Sequence, residues 1–366
     1  MQPSGAGFLY PYVTQKNCIK CGACSHVCPA IHKPQIAAVL EAYAAKHKNA
    51  AVKLKSSSGG MFTALAETVL KENAVVFGAS FDAQWNVAHT FVENIADLDR
   101  LRRSKYVQSN VANAYAQAKT FLDKGRKVLF TGTPCQIAGL RNYLGKTYEN
   151  LLTADIICHG VNSPAVWQLF LQQNTQKGKI ASIDFRHKQF GWDTPLLQIT
   201  YTDGSSSPHI PKLFHPLMKT KNGYLLRHHY RPAFGVCNLY ERPACHACKF
   251  KGIDNRVSDF TLGDLWGNWP DIITPQDKKY GISVLLVNTP KAQKLLEKLP
   301  IEKTAVDPEQ VARCNPMLVR SGQPHPKRAE FFARYRTEKL SKLVPELLGE
   351  KPILVRILQK LHLRIF

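Results

Sequence analysis

Apolar residues along the chain alternate between helix-like spacing and short strand-like runs. Phe62, Leu65 and Val69 recur at helical intervals and predict a helix over 62–71. An apolar run at 74–80 predicts the strand that follows it. Upstream, residues 36–54 are interpreted as a linker or a helix. The first third of the chain therefore predicts a helix that feeds a buried strand.

The middle of the chain repeats this arrangement in the opposite order. Residues 127–130 predict a strand, after which Thr133 is the expected N-cap and Pro134 the first residue of a helix. Further strands are predicted at 154–158, 197–201 and 282–287. Strands that alternate with helices indicate an α/β core.

Length and composition narrow the class of protein. The 366 residues suit two or three domains, and 44% of them are hydrophobic, so a disordered chain is excluded. Neither a secretion signal pattern nor an apolar run of about 20 residues is found. We therefore expect a cytoplasmic protein, in which the ten cysteines serve metal binding, catalysis or burial rather than disulfides.

Four cysteines near the start follow the spacing of bacterial ferredoxins. Cys18, Cys21, Cys24 and Cys28 are separated by two, two and three residues, and Pro29 follows. Zinc sites usually separate two cysteine pairs or include histidine, so the run predicts a 4Fe-4S cluster. In two-cluster ferredoxins the last cysteine ligates the other cluster. Cys28 therefore either completes its own cluster or reaches a second one.

The other six cysteines leave several interpretations open. They are Cys135, Cys158, Cys237, Cys245, Cys248 and Cys314. Cys245 and Cys248 form a Cys-x-x-Cys pair, which suits a redox dithiol, half of a zinc site or half of a cluster site. Cys135 and Cys158 follow predicted strands, where α/β sheets bind ligands, although burial as small apolar residues is the alternative. A second cluster on these four is reasonable, and the remaining two are expected to be buried and inert.

Six segments together resemble the coenzyme F420 hydrogenase/dehydrogenase beta-subunit family, in particular its bacterial members with an N-terminal ferredoxin run. The segments are 57–60, 104–107, 131–136, 158–161, 242–249 and 258–264. Their order and spacing extend over about residues 15–335. The resemblance implies a small ferredoxin-like module on a larger mixed α/β domain that binds FAD and a 4Fe-4S cluster. The cluster ligands it implies are Cys135, Cys158, Cys245 and Cys248. Family members include reductases fed by ferredoxin and subunits that reduce the deazaflavin coenzyme.

A flavin site is expected where a Ser/Gly turn opens the first predicted helix. Its candidate residues are Ser57, Ser58, Gly59, Gly60, Lys105, Tyr106, Gly132 and Thr133. N–H groups at a helix start bind phosphate or a flavin carbonyl, although an ordinary helix cap is the alternative. No Gly-x-Gly-x-x-Gly fingerprint is present, which disfavours a Rossmann FAD site.

Few side chains qualify for catalysis from the sequence alone. Lys105 is a candidate cation beside the flavin, and His159 is the candidate proton donor. Asp264 suits either a turn cap or a contact to a cofactor. The basic turn 186–188 suits either an anionic substrate or a solvated surface.

The net charge of +22 (49 basic minus 27 acidic side chains) indicates an acidic partner. No nucleic-acid-binding motif accompanies it, so we expect an acidic electron-transfer protein such as ferredoxin rather than DNA or RNA. The tail carries an apolar stripe and basic residues after Glu350, which predicts either a membrane-surface helix or a helix docked on the core.

The sequence therefore predicts three regions: a 4Fe-4S module over 1–40, a flavin- and cluster-binding domain over 41–335 and a basic amphipathic tail over 336–366. The expected function is an oxidoreductase that passes electrons between a ferredoxin-like partner, two 4Fe-4S clusters, FAD and a substrate or deazaflavin coenzyme. The alternative is a non-catalytic electron-transfer subunit of a larger redox complex.

Overall fold

The computed structural model describes residues 1–34, 37–175, 178–193, 195–207 and 238–349. Its strands are β1 (Gln2–Pro3), β2 (Leu9–Tyr10), β3 (Glu41–His47), β4 (Val75–Phe81), β5 (Val87–Val92), β6 (Val128–Gly132), β7 (Leu151–Ile156), β8 (Ile180–His187), β9 (Leu196–Tyr201), β10 (Ser206–Ser207), β11 (Phe260–Asp264), β12 (Ser283–Val287) and β13 (Ile301–Ala305). Most of them belong to one large sheet.

Helices cover and connect these strands. They are α1 (Ala23–His26), α2 (Ala50–Leu54), α3 (Met61–Leu70), α4 (Ala114–Asp123), α5 (Pro134–Leu144), α6 (Pro164–Asn174), α7 (Pro275–Tyr280), α8 (Pro290–Leu296), α9 (Pro308–Cys314), α10 (Pro316–Val319), α11 (Arg328–Arg334) and α12 (Leu340–Leu347). Short 3-10 turns lie at Gln15–Asn17, Ala96–Arg100 and Pro243–Ala247.

The main sheet has eight strands in the order β13-β3-β12-β11-β7-β6-β4-β5. The four strands β11, β7, β6 and β4 run parallel, and the others pair antiparallel. The expected mixed α/β fold is thereby confirmed. Parallel strands end together, so one edge of the sheet collects the loops that follow them.

Alternation along β4 explains why helices cover both faces of this sheet. Val75 and Phe77 pack towards α4 and α5, whereas Val76 packs towards α3. All three side chains are fully buried. The predicted helix at 62–71 and strand at 74–80 are both confirmed, each within about a residue.

The interpretation of 36–54 as a linker or helix is wrong for its longest part. Residues Glu41–His47 form β3, which pairs with β12 on one side and β13 on the other. Its small residues Ala42, Ala44 and Ala45 are buried in this position. Three alanines favour helix locally, but pairing and burial on both sides favour the strand. Among the described residues of this stretch, only Ala50–Leu54 are helical.

A second apolar cluster surrounds the small sheet β10-β9-β8 and the helices α6, α11 and α12. The N-terminal hairpin belongs to this part, because Phe8 is fully buried and its ring lies 6.2 Å from that of Phe332. Leu9 N–H also donates to Gln108 Oε1 at 2.8 Å. The first ten residues thus pack on the larger domain, and a ferredoxin-like fold for 1–40 stays a prediction.

Within the described ranges, no helix is both long and apolar enough to cross a membrane. The described end of the tail, α12, buries Leu340, Leu343, Val344 and Leu347 in the second cluster. The basic stripe expected at 351–366 lies outside the described residues.

Candidate functional site

The carboxyl edge of the parallel strands carries the candidate site. Strands β6, β7 and β11 end there at Gly132, Ile156 and Asp264. Strand β12 runs the other way and begins there at Ser283, which pairs with Asp264. Ligands of open α/β sheets bind outside this edge, between the loops that diverge from it.

Cys135 is positioned by the helix start that follows β6. Thr133 is the N-cap of α5 and Pro134 its first residue, as the sequence predicted. Gln136 Oε1 accepts hydrogen bonds from Thr133 N–H and from Thr133 Oγ1, both at 3.0 Å. The Thr133 hydroxyl also lies 3.1 Å from Cys135 Sγ. The capping geometry therefore fixes the thiol in the first turn, at the carboxyl edge.

The structure brings together the four cysteines expected to hold the second cluster. Cys158 and Cys248 line one small cavity with Pro134, the neighbour of Cys135. Burial raises the pKa of the Cys158 thiol well above its ordinary value, and the thiols of Cys245, Cys135 and Cys248 raise it further. Burial likewise raises the pKa of Cys245 to about 12, with contributions from Cys135 and Cys248. All four thiols therefore lie within electrostatic range of one another.

Hydrogen bonds hold the loops that carry these thiols. Cys248 N–H donates to Ser321 Oγ at 3.0 Å, and Cys245 N–H donates to Arg242 O at 2.9 Å. The Lys251 ammonium donates to Cys158 O at 2.5 Å and to Met317 O at 2.6 Å. The 3-10 turn with the Cys-x-x-Cys pair is thus tied to the end of β7.

The four thiols have the donor chemistry of an iron–sulfur cluster. Among the described residues, no three His, Cys, Asp or Glu side chains lie close enough to bind one metal ion. A 4Fe-4S cluster takes one thiolate at each of four irons, and soft thiolates are its usual ligands. Four converging cysteines with no carboxylate in the set fit that chemistry.

The four N-terminal cysteines occupy an exposed loop. Cys18, Cys21 and Cys24 are exposed, and Cys28 is half-buried. Gly22 precedes α1 in the left-handed region with φ 73°, which a residue without a Cβ adopts readily. The loop thus turns sharply between the second and third cysteines.

Two side chains of the larger domain anchor this loop. Asn142 Nδ2 of α5 donates to His32 O at 2.7 Å. The Lys249 ammonium donates to Ala30 O at 2.8 Å, and Lys249 directly follows Cys248. The exposed cysteines are therefore linked to the same two elements that carry Cys135 and Cys248.

The Ser/Gly turn expected to bind flavin also lies at the carboxyl edge. Ser57 Oγ accepts a hydrogen bond from Ser104 N–H at 2.8 Å, and Ser58 Oγ donates to Ile282 O at 2.9 Å. Gly59 N–H donates to Ser283 Oγ at 2.9 Å. These bonds tie the turn to the segment before Lys105 and to the start of β12.

Packing and backbone conformation explain why positions 59 and 60 of this turn are glycine. A Cβ on Gly59 would lie 2.7 Å from Ala45 O and 2.8 Å from Ser283 N. Gly60 caps α3 with φ 96°. Close packing therefore explains these glycines, and a role in flavin binding stays a prediction for the N–H groups of the helix start.

Lys105 and Tyr106 belong to the loop that follows the 3-10 turn Ala96–Arg100. The Lys105 ammonium donates to Arg102 O at 2.7 Å, and burial together with Arg103 lowers the pKa of Lys105 to about 7. The Tyr106 ring meets Phe185 edge-on at 5.5 Å. Lys105 is thus a loop-bound amine that titrates near neutral pH.

Sequence reasoning missed His89, which lies next to Gly132. Its Nδ1 is 2.7 Å from Ser109 Oγ, and its Nε2 is 3.0 Å from Thr131 O and must donate to that carbonyl. Burial lowers the pKa of His89 to about 4, so this imidazole is neutral at pH 7. A Cβ on Gly132 would lie 3.3 Å from His89 Nε2. Nothing in the local sequence marks this strand histidine.

A buried ion pair joins the two residues whose roles the sequence left open. The Arg186 guanidinium bonds to Asp264 Oδ2, and Trp192 Nε1 donates to Asp264 Oδ1 at 2.9 Å. Trp192 stacks on the half-exposed Trp266 at 4.9 Å, with an interplanar angle of 11°. Arg186 is therefore not a solvated turn residue, and Asp264 ends a strand rather than capping a turn.

The basic turn also supplies Lys188, which reaches the Ser/Gly turn. Its ammonium donates to Lys53 O at 2.8 Å, to Ser58 O at 3.0 Å and to Tyr280 O. Burial, followed by the nearby Arg186 charge, lowers the pKa of Lys188 to about 7. Lys188 thus holds the Ser57–Ser58 segment through Ser58 O, and Ser104, the neighbour of Lys105, holds it through Ser57 Oγ.

Two other predicted residues have clear positions. His159 Nε2 lies 2.8 Å from Asn238 Oδ1 and 3.5 Å from Glu241 Oε1. Cys314 is half-buried and packs against an apolar cluster, and a Cβ on Gly267 would lie 2.5 Å from its Sγ. Cys237 lies outside the described residues.

The fold and this edge define a mixed α/β protein with a thiol-rich site beyond the ends of its parallel strands. The chain matches the family model for the C terminus of the coenzyme F420 hydrogenase/dehydrogenase beta subunit over residues 125–311, and the model for its N terminus over residues 42–116. It therefore belongs to the coenzyme F420 hydrogenase/dehydrogenase beta-subunit family. Membership gives the chain a redox role, as an oxidoreductase in the broad sense.

The chain is also similar to a protein of known structure. A chain of the F420-reducing [NiFe] hydrogenase complex from Methanosarcina barkeri is similar in structure, with a TM-score of 0.48 and 17% identity. The match covers 86% of this chain and 94% of that one. No curated protein matches the sequence.

Proposed function

We propose that the protein is an iron–sulfur flavoprotein oxidoreductase. Cys18, Cys21, Cys24 and Cys28 would hold an outer 4Fe-4S cluster, and Cys135, Cys158, Cys245 and Cys248 an inner one. FAD would bind between the Ser/Gly turn, the loop after β5 that carries Lys105 and Tyr106, and the start of the loop after β6 with Gly132 and Thr133. The observation that carries the proposal is the convergence of four thiols at the carboxyl edge of the parallel strands.

When bound, the clusters supply one-electron transfer and the flavin links it to two-electron chemistry. The residues of this chain position those groups. Thr133 contacts Cys135, and Lys251 holds the end of β7 beside Cys158. Lys249 and Asn142 keep the outer loop on the elements that carry the inner cysteines.

On the flavin side, two titratable lysines and backbone N–H groups lie around the proposed pocket. Lys188 contacts the Ser/Gly turn at Ser58 O, and Lys105 follows Ser104, which bonds to Ser57. The first N–H groups of α3 have no partner within their helix. Such donors suit an anionic phosphate or a flavin carbonyl. The neutral His89 and the Gly132 backbone close the side next to the inner cysteines.

The partner would dock over the outer cysteines. Ile19, Ile31 and Tyr12 are 84%, 62% and 60% exposed around that loop. The first 40 residues contain three lysines and no acidic residue. An apolar centre with a basic rim fits an acidic electron-transfer protein such as ferredoxin. Because the family is one of beta subunits, another chain of a larger redox assembly is the alternative occupant of this face.

The proposal is tested by mixing the reconstituted protein with reduced ferredoxin and following FAD absorbance anaerobically. We expect the flavin to bleach. The triple substitution Lys16→Glu, Lys20→Glu and Lys33→Glu should slow bleaching by roughly 10-fold or more at low ionic strength, because it reverses the field that steers the partner. High salt should reduce the difference between the wild-type and variant bleaching rates, because it screens the charges.

A matched control reverses three lysines at the opposite edge of the sheet. Lys71, Lys124 and Lys146 are exposed and precede β4, β6 and β7. Their substitution by glutamate makes the same change in net charge and should leave the rate unchanged. Equal slowing by both triple variants would contradict docking at the outer loop, and a flavin that no one-electron donor reduces would contradict the function.

A further inference from the structure

Glu241 is a buried carboxyl group beside the inner cysteines to which no role has yet been given. Its side chain is 0% exposed. Neither carboxyl oxygen has a hydrogen-bond partner among the residues that the structure describes. Gly160 passes directly over it, since a Cβ there would lie 2.7 Å from Glu241 Oε1. A buried carboxylate without partners is costly, so this environment favours the neutral acid.

Two imidazoles face this carboxyl group with nitrogens that carry hydrogen. Asn238 Nδ2 donates to Gln323 O at 2.8 Å, which orients the amide so that its Oδ1 accepts from His159 Nε2 at 2.8 Å. His246 Nδ1 donates to Gly322 O at 2.9 Å. The same two nitrogens lie 3.5 and 3.6 Å from the two oxygens of Glu241.

Two basic side chains also lie near Glu241. The Arg328 guanidinium of α11 donates to Glu241 O at 2.8 Å, and the Lys251 ammonium lies beside Cys158. Burial raises the pKa of Glu241 to about 8, although Lys251 and Arg328 lower it. The groups that face Glu241 are therefore His159 after β7, His246 on the 3-10 turn, Lys251 on the following loop and Arg328 on α11.

The proton on Glu241 and a charge at the inner cysteines influence each other. The negative charge of Glu241 is one of the causes that raise the pKa of the Cys245 thiol. His159 and His246, which face the carboxyl group, are the sequence neighbours of Cys158 and Cys245. An electron added at the inner site would therefore favour the protonated form of Glu241.

We propose that Glu241 is a proton-binding site coupled to the redox state of the inner cysteine site. At a pH where Glu241 is ionised in the oxidised protein, an electron that the acidic electron-transfer partner delivers to the inner site is balanced by one proton from solvent, which binds a Glu241 oxygen, and oxidation of the site releases that proton. The inference rests on the proposed inner cluster. According to this proposal, the residues around Cys158 and Cys245 also compensate the charge of an added electron by binding a proton.

The first test is the midpoint potential of the inner cluster, followed by EPR from about pH 6 to about pH 10. In the wild type the potential should be flat at low pH, where Glu241 is protonated in both redox states. It should fall with rising pH above the pKa of the oxidised state, with a slope approaching about 59 mV per pH unit for one proton and one electron. Glu241→Gln should remove the slope, and Glu241→Asp should keep it with a shifted onset.

The matched control is Glu67→Gln on α3, which removes a half-buried carboxylate that bonds to His47 at 2.9 Å. That variant should keep the wild-type slope. A slope that persists in Glu241→Gln, or one that disappears equally in Glu67→Gln, would overturn the assignment.

The second test needs no cluster. Infrared spectra of the apoprotein at neutral pH, wild type minus Glu241→Gln, should show the C=O band of a protonated carboxylic acid, and this band should vanish at high pH. Carboxylate bands in its place at neutral pH would overturn the assignment. If no inner cluster forms, the proposed function fails in the first experiment, whereas the protonation of Glu241 is still decided by this one.

Discussion

Replacing Cys158 with serine is expected to lower the iron content of the anaerobically reconstituted protein by about four atoms per chain. Cys158 follows β7 and shares a cavity with Cys248, and its thiol is within electrostatic range of the other three inner thiols. A serine hydroxyl is a hard donor that binds iron–sulfur clusters poorly. Iron and acid-labile sulfide, measured against protein concentration, report the loss directly.

The chain contains a matched cysteine for comparison. Cys314 packs with the apolar cluster around Trp269 and closely approaches Gly267. Cys314→Ser should retain the full iron content, since this thiol lies outside both proposed sites. Equal iron in Cys158→Ser and wild type would exclude Cys158 as a ligand, and equal loss in both variants would point to damaged folding.

Replacing Asp155 with alanine is expected to lower the free energy of unfolding by roughly 3–5 kcal/mol. Asp155 Oδ2 accepts a hydrogen bond from Arg256 Nη2 at 2.9 Å, and both side chains are at most 2% exposed. Removal of the carboxylate leaves the Arg256 guanidinium buried beneath the thiol site without its partner. Chemical denaturation of the apoprotein measures the change.

Two further variants test whether the loss of stability in Asp155→Ala comes from the unpaired charge of Arg256. Asp123→Ala breaks an exposed ion pair with Lys119 and an exposed hydrogen bond from Tyr148, and should lower the free energy of unfolding far less than Asp155→Ala does. The double substitution Asp155→Leu with Arg256→Met removes both charges and should be less destabilising than Asp155→Ala alone, because no charge is then left unpaired. If Asp155→Ala is as stable as the wild type, Arg256 finds another partner or reaches solvent in that variant.

Local signals predicted the elements that carry the cysteines. Thr133 and Pro134 have conformations suited to a helix start in any context, so the position of Cys135 could be inferred before the fold was known. The ferredoxin spacing is likewise contained within eleven residues. Strand β3 could not be predicted in this way, because its alanines become strand residues only when β12 and β13 pair on both sides.

Contacts over long sequence distances were inaccessible to such reasoning. Arg186 and Asp264 are 78 residues apart, and only the packing of β8 on the main sheet makes them partners. His89 is an unremarkable strand residue until Ser109 and Thr131 surround it. Glu241 acquires its environment from His159, which is even more distant in the sequence.

The iron, sulfide and flavin content of the anaerobically reconstituted full-length protein tests the central claim most directly. Two 4Fe-4S clusters and one flavin predict about eight irons, about eight sulfides and about one FAD per chain. About four irons without flavin would contradict the inner site and leave a simple electron carrier.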